Sequence, residues 1–96
     1  MKVKSNPERR QEDLFRKAQN GDLKAFGMLI KPHEQMIWSI CWHCTRNRKK
    51  AEACGLEVMR RAWRERAGCG SSETLREWIY AIAVACGREW LKKEEA

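Results

Sequence analysis

No stretch of this 96-residue chain is apolar for the roughly 18 residues that a membrane-spanning helix needs. Residues 1–10, MKVKSNPERR, lack the apolar centre of a secretory leader, so the expected location is the cytoplasm. There is no Gly-rich phosphate loop, no HExxH and no Ser/His/Asp pattern, and only two histidines. An enzyme is therefore not expected, nor is a cofactor or a metal. Strand-type alternation of apolar and polar residues is missing as well. With only two prolines and two turn clusters, Asn20-Gly21-Asp22 and 68–72, the chain reads as all-α. The expected architecture is a single compact bundle of four to five helices, with residues 1–6 and 94–96 frayed.

What the chain does have is positive charge. The net charge is +7, which suits nucleic acid or another acidic partner. Residues 1–50 hold 12 of the 20 Lys/Arg and 5 of the 13 Asp/Glu, so the whole excess lies in that half. Basic residues cluster at Arg46, Arg48, Lys49 and Lys50, and again at Arg60, Arg61, Arg64 and Arg66. Either cluster can equally be a solvated helix face.

Helix signals divide the chain clearly. Asn6 before Pro7 is a cap followed by a proline at the first helical position, and a helix is expected over 7–20. Gly21 suits its C-terminal end and Asp22 the start of a second helix carrying Leu23, Phe26, Leu29 and Ile30. Pro32 should break the chain at Lys31. A third helix, 33–46, places Ile37, Ile40, Cys41 and Cys44 on one face, with Trp38 and Trp42 flanking it. These two indoles are expected in the core, because large exposed rings are costly. Asn47 caps a fourth helix, 48–66, with Ala51, Cys54, Val58 and Ala62 as its stripe. Gly55 inside that helix suggests a neighbour in close approach. The last helix, 74–93, buries Leu75, Trp78, Ile79, Ile82, Ala83, Cys86 and Trp90 at three- and four-residue steps.

Five cysteines are an odd number for a disulfide framework. Cys41, Cys54 and Cys86 fall on apolar stripes and read as small buried hydrophobes in a reducing compartment. Cys41-Trp-His-Cys44 has the spacing of a metal clip, but no second CxxC completes four ligands. Cys69, in the glycine-serine loop 68–72, is the one expected to be exposed. That loop is expected to be the longest flexible piece, with Ser71 or Ser72 capping the last helix.

Three strings carry a family likeness: DLFRKAQNGDLKAF at 13–26, KAEACGLEVMRRAW at 50–63, and TLREWIYAIAVACGREWLKK at 74–93. In this order and spacing they resemble region 2 of bacterial RNA polymerase sigma factors, in the extracytoplasmic-function (ECF) branch. The resemblance implies a compact helical bundle acting in transcription initiation, monomeric when free, without a membrane partner. It implies that Glu52, Ala53, Leu56, Glu57 and Arg60 face the β′ clamp of core RNA polymerase. It also implies that Arg76, Trp78, Tyr80, Arg88, Lys92 and Lys93 touch the melted minus-ten element of promoter DNA. In such sigma factors a flipped base sits in a pocket of the loop before the last helix. The resemblance covers region 2 alone, and no counterpart of the family's second module, region 4, is expected within these 96 residues.

The chain departs from the family at both surfaces. Ala53 and Leu56 stand where the family has an aspartate and a glutamine. Ala81, Val84 and Ala85 stand where it has two arginines and an asparagine. These exchanges add apolar surface, which suits a protein interface. They open the alternative of a sigma-like domain that binds an anti-sigma factor or other regulatory protein without promoter recognition.

Overall fold

The computed structural model describes residues 7–95, which form five α-helices, three single turns of 3-10 helix and no strand. The helices are α1 (Pro7–Gln19), α2 (Leu23–Ile30), α3 (Glu34–Thr45), α4 (Arg48–Arg64) and α5 (Leu75–Glu95). The bundle is all-α, as the periodicities predict. Its punctuation follows the expected chemistry. Gly21 adopts φ +99°, the left-handed turn that ends α1 at no steric cost. Asp22 accepts the Ala25 N–H at 3.0 Å and Asn47 the Lys50 N–H at 3.0 Å, each capping its helix. Pro32 sits in a 3-10 turn, Lys31–His33, that separates α2 from α3. Pro7 begins α1 and the proposed cap Asn6 lies outside the described residues, as do residues 1–5 and 96. Glu94, expected to fray, is helical and held by an ion pair with Lys50.

α3 lies along both α4 and α5, and α1 packs mainly on α2. The seam of α3, α4 and α5 is built from small side chains: Cys41, Ala51, Cys54, Ala62, Ala83 and Cys86 are all 0% exposed. Small residues let the backbones come close while Ile30, Val58, Leu75 and Ile79 supply bulk. The cysteines serve here as apolar spacers, and all five are free thiols. Phe26 meets Trp63 edge-on, with ring centroids 5.1 Å apart, and ties α2 to α4.

The close approach expected at Gly55 occurs elsewhere. A Cβ built on Gly55 would meet nothing within 4 Å, because that face of α4 borders an open groove. Gly55→Ala should therefore raise the unfolding free energy by about 0.5–1 kcal/mol, the helix-propensity difference, measurable as a higher urea midpoint at unchanged m-value. The intimate contact is at Gly87, where a Cβ would lie 2.6 Å from Cys44 Sγ on α3.

A second ion pair, besides Lys50–Glu94, crosses between the two longest helices. Arg61 on α4 forks onto the Glu89 carboxylate on α5 at 2.9 and 3.1 Å. The bond from Arg61 holds the Glu89 carboxyl below its usual range. A depressed folded-state pKa stabilises above the unfolded value, and that stability is lost as pH falls through the folded one. Glu89→Gln should thus cost within the ~0.2–1 kcal/mol of exposed pairs at neutral pH. The difference from the native chain should close below about pH 4.5, the ordinary carboxyl value, in urea titrations run across pH.

Candidate functional site

Two open faces stand out on the α3–α4–α5 unit. On α4, Glu52, Ala53, Leu56 and Arg60 recur at turn spacing and are all exposed, Leu56 at 59%. Glu57, the fifth residue assigned to a polymerase contact, is half-buried and turned toward Arg61, 3.8 Å away. On α5, Arg76, Tyr80, Arg88 and Lys92 recur at multiples of four and are exposed, with half-buried Val84 and exposed Ala81 and Ala85 among them.

The remaining two residues assigned to DNA lie off that row. Trp78 is half-buried against the core, its indole Nε1 lying beneath Gly68. Lys93 turns to Trp90, with Nζ 5.4 Å from the ring centroid. Both placements have one cause. Residues 78 and 93 fall on the flank of the buried stripe, where an apolar ring or an alkyl stem gains by covering the core.

The loop ahead of α5 is pinned to α1, not flexible. The Gln19 side-chain amide donates to the Arg66 and Cys69 carbonyls at 2.7 and 3.4 Å. Arg66 returns a bond from Nε to the Ala18 carbonyl at 3.1 Å and stacks over Trp63 at 4.0 Å. Cys69, expected at the surface, is 5% exposed, its thiol donating to the Ser71 carbonyl at 3.3 Å. It points inward because a small apolar side chain is the anchor that lets the loop close over the core. Neither loop serine caps α5 through its side chain onto backbone. Instead Ser71 and Thr74 pair through their hydroxyls at 3.2 Å. Beneath the loop the cavity lined by Phe15, Ala18, Gln19 and Trp78 measures about 10 Å³, room for one water and not for a base.

Trp38 and Trp42 are the largest departure from expectation. They are 41% and 39% exposed instead of buried. α3 commits Ile37 and Cys41 to the core, so side chains one position further on point past the α4 contact into solvent. The two indoles are near-parallel, 20° between planes and 6.4 Å between centroids. Beside them an open groove of about 800 Å³ runs between α3 and α4, floored by Ile37, Ala51, Gly55 and Met59 and rimmed by Glu34, Glu52 and Leu56. Tryptophans one step off an apolar stripe, at i and i+4, were the available signal for this surface.

The polar chemistry is sparse. Burial pushes the Cys54 thiol up to about 12 and that of Cys86 to about 11, so both stay protonated and poor as nucleophiles or ligands. The Cys41-to-Cys44 pair splits, Cys41 buried and Cys44 half-buried, while intervening His43 is exposed. Among the described residues no three His, Cys, Asp or Glu side chains converge as metal ligands. His33 has its Nδ1 buried without a hydrogen bond among the described residues, and burial with nearby Arg76 lowers its pKa.

No protein-family model, curated protein or solved structure matches this chain.

Proposed function

We propose that this chain acts as a sigma factor-type transcription-initiation domain, docking on core RNA polymerase through α4 and touching melted promoter DNA through α5. The observation that supports the reading is the separation of the two residue sets. Glu52, Ala53, Leu56 and Arg60 lie open on α4, while Arg76, Tyr80, Arg88 and Lys92 lie open on α5. The two helices pack on each other and on α3, and are cross-tied by Arg61 and Glu89, so one rigid unit presents both faces. An exposed leucine flanked by Glu52 and Arg60 has the make-up of an interface centre with a polar rim. A row of cations around Tyr80 offers phosphate neutralisation plus a stacking surface.

A second reading, a docking module that binds an anti-sigma factor or other regulatory protein without promoter recognition, draws on a different observation. The α4 face is apolar where Ala53 and Leu56 are exposed, and the cavity that Phe15, Ala18 and Trp78 line under the loop before α5 is too small for a base. Residues 73–96 also hold 4 basic and 5 acidic side chains, which weakens attraction to phosphate.

Pull-down with bacterial core RNA polymerase separates them. The first reading expects capture of the native chain and loss of capture with Leu56→Asp. Capture of only the double variant Ala53→Asp plus Leu56→Gln would favour the second. Binding of a single-stranded minus-ten oligonucleotide, weakened by Arg76→Gln with Arg88→Gln, is the companion result. Absence of that binding at low salt would remove the DNA half of the proposal.

A further inference from the structure

We infer that the Trp38–Trp42 pair and the cations at the α3–α4 turn form a second, separate site that stacks and holds single-stranded nucleic acid. The α5 face uses none of these residues, and the α4 face borders the site only at Glu52. Trp38 and Trp42 stand one turn apart on α3 and are the most exposed indoles of the described chain, with near-parallel rings 6.4 Å apart. The near-parallel, exposed rings offer stacking faces for unpaired bases. Every base has a π-face, so such a platform binds unpaired strands with little regard to sequence.

The charges beside the rings complete the site. Arg46 ends α3 in the left-handed conformation, φ 53°, and is exposed along with Arg48 and Lys49. An open cleft of about 580 Å³ is lined by Trp38, Trp42, Arg48 and Glu52, which places the Arg48 guanidinium beside the indoles. Glu52 is the lone carboxylate of this cleft, and its ion pair with Arg48 is long, 3.8 Å, and solvent-exposed. Such a pair yields readily to a phosphate. Arg46, Arg48 and Lys49 at the turn outnumber Glu52 of this cleft and Glu34 of the adjoining groove, and this net positive charge favours a polyanion over a protein segment. The requirement for unpaired bases favours single strands over duplex.

The test is fluorescence anisotropy of a labelled thymidine dodecamer, single-stranded and as a duplex with its complement, at several salt concentrations. The native chain should bind the single strand, prefer it to the duplex, and show quenched tryptophan emission on binding. Trp42→Ala should weaken binding about tenfold, within the range of one lost base stack, and Trp42→Phe should recover part of it. Arg46→Asn with Arg48→Gln should reduce the slope of log affinity against log salt by about 1.4, two contacts at ~0.7 each. Asparagine suits the left-handed position, so the backbone is not strained. Lys24→Gln, an exposed cation on α2, should leave dodecamer binding unchanged, which ties the loss to the α3–α4 turn and not to the removal of any one charge. Circular dichroism and the thermal midpoint establish that each variant is folded. Equal binding of strand and duplex, native affinity in folded Trp42→Ala, or no binding at low salt would overturn the inference. The last result would leave the indole pair to a protein partner.

Discussion

Ile79→Ala should lower the unfolding free energy by about 2–5 kcal/mol, the cost of emptying a buried isoleucine site that cannot fully collapse. Ile79 is 0% exposed, and α5 is packed on both α3 and α4. Its neighbours along the buried stripe, Ala83 and Cys86, are small and cannot swing into the void. A domain of 96 residues holds roughly 5–14 kcal/mol of stability in all. The single change therefore removes a large share of it. Urea titration should show a lower midpoint at an unchanged m-value, and a falling m-value would mean that the folded state itself had loosened. Because α5 carries the Arg76–Tyr80–Arg88 row, loss of its seat should also weaken any DNA contact made by that row. The same variant should leave the dodecamer site on α3 intact wherever the chain remains folded.

Gly87→Val should destabilise by about 1–3 kcal/mol or more, as overpacking does. At ~4–8 °C per kcal/mol, this is a fall of roughly 4 to 24 °C in thermal midpoint for a domain of this size. Even the first added carbon would lie 2.6 Å from Cys44 Sγ, 3.3 Å from Cys44 Cβ and 3.6 Å from Ile40 Cγ2. The thiol can rotate aside, but the Cys44 Cβ is fixed to the backbone of α3, so larger side chains push the helices apart. Gly87→Ala is the milder probe, since it gains up to ~1 kcal/mol of helix propensity against the clash. Removing the sulfur should relieve part of it: Cys44→Ala combined with Gly87→Ala should be more stable than the sum of the single effects. The excess measures direct coupling in a double-mutant cycle. A purely additive result would mean that the two helices already stand farther apart at this point.

The contrast between Gly55 and Gly87 shows where reading the residues stops. Both glycines sit inside helices, and the sequence marks each only as a position without a side chain. Which one faces a neighbour depends on how α4 and α5 are rotated against α3, and that rotation follows from packing many side chains at once. The tryptophans show the same limit. Their spacing places Trp38 and Trp42 beside the Ile37–Cys41 stripe, but their exposure depends on how far α4 extends across that flank. Cys69 and the loop around it depart from expectation for a related reason. Glycine and serine content predicts freedom, whereas the bonds from Gln19, some fifty residues away in the chain, remove it.

What the sequence determined by itself is local. Asp22 and Asn47 cap their helices, Gly21 and Pro32 end theirs, and the apolar stripes of α4 and α5 name the core, because capping and amphipathic burial act within a few residues. Tertiary structure alone decided the surfaces. It closed the loop onto α1, left the α3–α4 groove open and set the two indoles in solvent beside Arg48. Those outcomes rest on distances between residues far apart in the chain, which only the simultaneous packing of all five helices fixes.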